Sequence, residues 1–405
     1  MRKASSDFNV TAVMYQEVAR LRPEGAYKVL SKANELEAKG REVTHLEIGQ
    51  PDYPTFPNIT LAGIRALAEG KTNYNPSQGI PELRSTIAAN VTKTRGVNVD
   101  PEEVVVGPGA KPLLFLSSLA LIKEEDEVLL PDPGYPTYKS MVKVAGGKPI
   151  LIPLVEDDGF RLDIDQLANS ITSRTKFFLL NSPGNPAGNV ITEKSLEAIA
   201  KLAKKKNFLV LSDEIYSRMV YGDDDHRSIL SLERMKECTI MVDGFSKTYS
   251  MTGWRLGYAV MPKKLAKQVG YLLTHSVGCT ATFTQYAGIE ALEGPQAQVR
   301  KNVDKLEEKR NLVVEGLNEI DGVSCICPKG AFYAFPSVST FGMGVQQLAD
   351  YILEEVGVAL LPGTAFGPGG EGYLRLCYAN SFSALEEGLK KLTKAFSSLK
   401  VDQSK

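Results

Sequence analysis

Lys247 follows the apolar run TIMVD (239–243) in the segment GFSK, with Ser246 beside it and Arg255 eight positions further on. A lysine held beyond a buried strand and partly desolvated can keep a lowered pKa, which suits a Schiff-base amine and then a proton carrier. Ser246 and Arg255 are groups that bond a phosphate, one through its hydroxyl and one through charge-assisted hydrogen bonds. Asp213 closes the run FLVLSD (208–213), where an ionised carboxylate is costly unless a cation or several donors meet it. A protonated pyridine ring is one such cation; a salt bridge to a neighbouring lysine or arginine is the plainer alternative.

Further candidates follow other apolar runs. VVVG (104–107) leads into Gly107-Pro108-Gly109-Ala110-Lys111, a turn whose glycines let backbone approach an anion at a helix N-terminus. Lys111 there either answers an anion or is simply solvated. Tyr135 stands in the rigid turn PDPGYP, where its ring could stack on a flat ligand or merely decorate the turn. Asn185 in NSPGNPAG carries an amide that both donates and accepts. In YLRLCYA (373–379) alternation puts Leu374 and Leu376 on one face and Arg375 on the other, offering a guanidinium fork to a carboxylate or, alternatively, a surface arginine on an edge strand.

These residues need strands to present them. Between about 71 and 295 the chain alternates β-rich runs, which also include EVLLP (127–131), KPILIPL (148–154) and KFFLLN (176–181), with helical stretches such as SLEAIAKLAKKK (195–206). That alternation predicts an α/β fold with a mostly parallel sheet and helices on both faces, and ligands in such sheets bind beyond the carboxyl ends of the strands. Leu113 to Ile122 reads as a buried helix. The first 60 or so residues and the last 110 or so carry longer charged helices (297–317 and 383–399) and short strands (331–335 and 372–378), and are expected to form one smaller α+β domain. The expected organisation is an N-terminal segment over 1–60, a large domain over 61–296 and a C-terminal part of the small domain over 297–405. About five residues at either end read as tails.

Composition narrows the function. The chain has 405 residues, 43% of them hydrophobic, and 47 basic against 48 acidic residues, so no overall field draws nucleic acid or an anionic membrane. Five scattered cysteines and three histidines argue against a disulfide framework or a zinc site. Cys325 and Cys327 form a C-x-C pair, but the alternation over 323–326 reads equally well as a strand. No apolar run approaches the roughly 18 residues of a membrane span, and the start MRKASSDFNV lacks a signal-like apolar region. A soluble cytoplasmic enzyme acting on small molecules is expected.

Taken together, the segments resemble the fold-type I, class I and II aminotransferases, closest to the bacterial and archaeal aspartate, aromatic and alanine enzymes. The most specific element is GFSKTYSMTGWRLG (244–257), supported by GQPD (49–52), NYNPSQGIPELR (73–84), NSPGNPAG, SDEIY and YLRLCYA. The resemblance implies the cofactor pyridoxal 5′-phosphate (PLP), bound covalently by Lys247, which then serves as the general base and acid. It implies that Asp213 pairs with the pyridine nitrogen, that Asn185 and Tyr216 bond the 3-hydroxyl, and that Tyr135 stacks on the ring. Gly109, Ala110, Lys111, Ser246 and Arg255 match phosphate-side positions, and Tyr74 matches a tyrosine contributed by the other subunit of a homodimer. Arg375 matches the residue that grips the substrate α-carboxylate, and Gly49 a backbone contact beside it. The implied substrates are an L-amino acid and a 2-oxo acid such as 2-oxoglutarate, exchanged in two half-reactions.

Two positions depart from the family pattern. Gly244 stands where many relatives place serine or threonine, three residues before the lysine. Pro23 is followed by Glu24, Gly25 and Ala26, whereas aspartate-specific relatives have a small hydroxyl residue after that proline and a lysine equivalent to Lys111 to read the distal carboxylate. The preferred amino acid is therefore open. The same residues would also serve a PLP-dependent β-elimination or carbon–sulfur lyase reaction. A regulatory protein with an aminotransferase-like domain would need a DNA-binding domain, for which the residues before Gly25 offer too little chain. A nicotinamide-binding Rossmann protein would need a G-x-G-x-x-G that the sequence does not place after its first strand.

Overall fold

The structure is a computed structural model that describes residues 14–21, 23–156, 159–222 and 225–399, so most of the expected terminal tails lie outside the described residues. A short strand β1 (Thr44–His45) precedes the main sheet. That sheet comprises β2 (Val104–Gly107), β3 (Glu127–Asp132), β4 (Lys148–Val155), β5 (Arg161–Leu162), β6 (Thr175–Asn181), β7 (Leu209–Asp213), β8 (Thr239–Gly244) and β9 (Gly257–Val260). It is eight-stranded, in the order β2-β9-β8-β7-β6-β3-β4-β5. The contiguous run β8, β7, β6, β3, β4 is parallel, while β9 pairs antiparallel with both β2 and β8 and β5 pairs antiparallel with β4.

The composition of the strands explains how they are covered. Every residue of β2 and β8 is buried, as expected of strands covered by helices on both faces. Between β6 and β7 the helix Glu193–Lys206 starts at Thr192, whose side chain accepts from the Ser195 amide, and ends at Asn207 in the left-handed region. Leu196, Ile199, Ala200 and Ala203 form its buried stripe, and Lys204, Lys205 and Lys206 complement the dipole at its last turn. The run from Leu113 lies in a helix over Ala110–Leu121, with Leu113, Leu114 and Leu116 buried.

Residues from the two ends of the chain share a core. Leu46 packs in one cluster with Leu306, Val313, Leu385 and Phe396, and Val29 and Ala33 pack with Leu353, Ala359 and Leu361. Strands β10 (Tyr333–Ala334) and β12 (Leu361–Pro362) flank β13 (Leu374–Cys377) antiparallel, and β11 (Val358–Ala359) pairs parallel with β1.

Two local expectations need correction, and one strand was not anticipated. The run 323–326 is not a strand; it makes only an isolated bridge between Ser324 and Ser337, because Cys327 leads directly into Pro328 and Gly330 is already bridged to Val220. The run 331–335 is extended as a paired strand only over Tyr333–Ala334. The strand β9 has no counterpart in the sequence reading: four residues directly after a loop show too short a pattern to stand out.

Candidate active site

Because β9 reverses direction between β2 and β8, the carboxyl ends of β2, β3, β6, β7 and β8 all open on one edge of the sheet. A cavity of about 530 Å³ lies there. Its walls bring together Gly49, Ala110, Lys111, Tyr135, Asn185, Asp213, Tyr216, Ser246, Lys247, Arg255 and Arg375. Gly109 stands just behind, and a Cβ there would fall 2.4 Å from the Arg255 guanidinium. Its φ of 98° is one that only glycine adopts readily. Tyr74 is apart from its own chain's cavity and is 97% exposed.

Lys247 Nζ donates to the Gly49 carbonyl at 2.6 Å. Burial lowers its pKa to about 8, and the guanidinium groups of Arg375 and Arg255 add to the effect. The amine thus loses its proton far more readily than an ordinary lysine, as a Schiff-base lysine requires. Gly49 admits no side chain, since a Cβ would lie 2.0 Å from Tyr333 Oη.

Asp213, at the end of β7, is pushed up to about 6 by burial. The salt-bridge alternative does not hold for it. Tyr138 Oη donates to its Oδ2 at 2.8 Å and the Ile215 amide to its Oδ1 at 3.2 Å, and both donors are neutral. Such a carboxylate gains from a cation placed beside it.

Arg375 is not a surface residue on an edge strand. It stands on the middle strand β13, is 4% exposed, and has its guanidinium 4.4 Å from the Tyr333 ring and 5.0 Å from the Phe366 ring. It donates to the Glu47 carbonyl at 2.5 Å and to Asn185 Oδ1 at 3.3 Å, while its buried Nε has no partner among the described residues. A fork with donors to spare at a cavity wall suits an incoming carboxylate.

The phosphate-side residues also gather. Arg255 adopts φ 55° and donates to the Thr252 carbonyl at 2.7 Å, and Ser246 and Ala110 line the wall beside it. Gly257 passes so close that a Cβ would meet the Ala110 amide nitrogen at 2.5 Å, which holds the start of the helix Ala110–Leu121 against β9. At Gly244 a Cβ would stand 3.1 Å from Ile215 and 3.2 Å from the Gly257 Cα, so a serine or threonine would require these neighbours to give way.

Lys111, partly exposed at the cavity wall, meets an anion of its own chain. Its Nζ is 2.5 Å from Glu24 Oε1. Residues that sequence reasoning missed are Tyr138 and Tyr333. Tyr138 lies one helical turn from Tyr135, a spacing that could have flagged it. Tyr333, hydrogen-bonded to Tyr216 Oη at 2.8 Å, comes from the other end of the chain and has no local signal.

The residues fit a PLP-sized group: a cavity, a lysine with a lowered pKa, a buried carboxylate with a raised pKa, and a glycine cradle beside an arginine. Comparison with known proteins agrees. Residues 41–392 match the family model described as aminotransferase class I and II. A probable aspartate/prephenate aminotransferase of Aquifex aeolicus is 42% identical over 93% of this chain and 97% of its own length. An aspartate aminotransferase of Pyrococcus abyssi is 39% identical over 90% and 94%. The solved aspartate aminotransferase of Thermus thermophilus with maleate superposes with a TM-score of 0.91 at 35% identity, covering 94% of this chain and 99% of that one. With a family match over most of its length, this chain belongs to the class I and II aminotransferases.

Proposed function

We propose that this PLP-dependent aminotransferase moves the α-amino group of an L-amino acid, aspartate-like, aromatic or alanine-like, to a 2-oxo acid, with 2-oxoglutarate the first acceptor to test. The observation that carries this reading is that Lys247, Asp213 and Arg375 converge on one cavity. Bound there, PLP supplies a conjugated ring that takes up the electron pair released at the substrate Cα.

The protein's own groups supply the rest. The Lys247 amine would hold the cofactor and would take the proton from the substrate Cα; its lowered pKa keeps it basic yet largely unprotonated above about pH 8. Arg375 orients the substrate through its α-carboxylate, beside the Gly49 backbone. Asp213 balances a protonated ring nitrogen, and Tyr138 holds Asp213 in place. Tyr216 and Asn185 would donate to the ring hydroxyl, Tyr135 would cover the ring face, and Ser246, Arg255 and the backbone of Gly109 and Ala110 would surround the phosphate.

We further infer two structural units, one over 61–296 and a smaller one from 1–60 and 297–405, in a cytoplasmic homodimer. Support for the dimer comes from the helix Pro57–Ala68, which exposes Leu61, Ile64 and Leu67 close in sequence to the fully exposed Tyr74. Light scattering on the pure protein tests it, and a monomer would remove the role given to Tyr74.

The functional test is an absorbance spectrum of the PLP-loaded protein with a panel of L-amino acids, alongside Lys247→Ala. A visible band that shifts with particular amino acids and returns on adding a 2-oxo acid is expected. The Lys247→Ala protein should turn over at least about 10³-fold more slowly. Release of ammonia with a keto acid, independent of added 2-oxo acid, would instead identify a lyase.

A further inference from the structure

Glu24 stands directly before the helix Gly25–Glu37 and makes no capping bond with its side chain. Its carboxylate turns instead to the wall of the active-site cavity. Lys111 Nζ lies 2.5 Å from Oε1, Thr137 Oγ1 donates to Oε1 at 2.9 Å, and Tyr135 Oη donates to Oε2 at 3.2 Å. An ammonium and two hydroxyls, from the starts of two different helices, thus converge on one carboxylate. That donor set is a carboxylate-binding site.

The position of Glu24 is built rather than incidental. Gly25 brings the chain so close to Ala365 that a Cβ on it would lie 2.9 Å from the alanine Cβ, and the Tyr27 and Lys28 amides both bond back to the Glu24 carbonyl. The Glu24 carboxylate and Arg375 face the same cavity, so a substrate held by its α-carboxylate at Arg375 has its side chain confined with this pair.

We propose that Glu24 is a built-in competitor for the side-chain carboxylate of dicarboxylic substrates, making it a specificity-determining residue that favours uncharged amino acids. The inference rests on the aminotransferase reading above. While Glu24 sits on Lys111, the pair is neutral and its donors are taken. A dicarboxylic amino or oxo acid binds only by displacing Glu24 from these donors, and an uncharged side chain displaces nothing. Dicarboxylates therefore bind weakly but are not excluded.

The test uses the PLP-loaded enzyme, Glu24→Gln and the double variant Glu24→Gln/Lys111→Met. Steady-state kcat/KM is measured for L-aspartate and 2-oxoglutarate against L-alanine, L-phenylalanine and pyruvate, and binding of the unreactive dicarboxylate maleate is followed by calorimetry. In Glu24→Gln the dicarboxylate-to-uncharged ratio of kcat/KM should rise about tenfold or more, and maleate should bind about tenfold or more tightly, since one charged hydrogen-bonded contact is freed for the ligand. Both gains should vanish in the double variant. An unchanged ratio with unchanged maleate binding would overturn the role of Glu24 while leaving the aminotransferase reading intact. An enzyme that turns over none of these substrates would overturn both.

Discussion

Asp213 and Glu214 are consecutive and both buried, yet their carboxylates meet entirely different partners. Asp213 lines the cavity and is pushed up to about 6 by burial. Glu214, despite the same burial, is held down at about 2 by the charges of His226 and Arg95. Its carboxylate meets Arg95 at 3.0 Å, His226 at 2.9 Å and the Ser228 and Ser212 hydroxyls, and Arg95 also reaches Asp243 at 3.1 Å. One carboxylate has its countercharge within the chain and belongs to the framework. The other has only neutral donors, which is the arrangement expected where an external cation is to be met. Burial alone does not separate structure from chemistry; the source of the compensating charge does.

The sharpest way to break this comparison is to remove each charge in turn. Asp213→Asn is expected to lower kcat/KM by about 10³-fold, since it removes a charge aimed at the reacting ring, with no loss in urea stability. A stability loss without a kinetic one would reverse the assignment. Glu214→Gln should do the opposite. It leaves the buried His226 without its anion and Arg95 with Asp243 alone, and costs about 3 kcal/mol in urea denaturation, with turnover changed far less than in Asp213→Asn.

The two residues also differ in the sign of their pH dependence. Glu214 is depressed in the folded protein, so its contribution is fully present above about pH 4.5 and is lost as pH falls toward about 2. Asp213 is raised, so the folded protein holds its proton more tightly, and stability attributable to it falls as pH rises from about 4 through about 6. Thermal midpoints across these windows should lose the acid-side decline in Glu214→Gln and the opposite slope in Asp213→Asn; equal profiles for all three proteins would refute the contrast. Smallest of all, Ser228→Ala removes one hydroxyl donor from Glu214 and should cost about 1 kcal/mol, with turnover untouched.

Much of the fold and site was legible in local pattern. Continuous apolar runs such as VVVG and TIMVD read directly as strands buried on both faces, and Lys247, Asp213, Asn185 and Tyr135 each follow such a run. What escaped depends on distant contacts. Tyr333 reaches Tyr216 across 117 positions, and Glu24 meets Lys111 across 87. Glu24 was visible as a departure from the family pattern, but nothing in its neighbourhood indicates that its carboxylate lies on that lysine.

By itself, then, the sequence determined the α/β class, the strands that end at the site, and the residue types able to bind and use the cofactor. These follow from side-chain period, turn chemistry and the cost of burying charge, all of which act within a few residues. Only the tertiary structure decided that β9 enters between β2 and β8, that Arg375 is buried against Tyr333 and Phe366, and that Glu24 occupies the donors of Lys111, Tyr135 and Thr137. The reason is physical: whether a polar group is met by its own chain or left for a ligand depends on which distant segments the closed core brings within about 3 Å, a hydrogen-bond length.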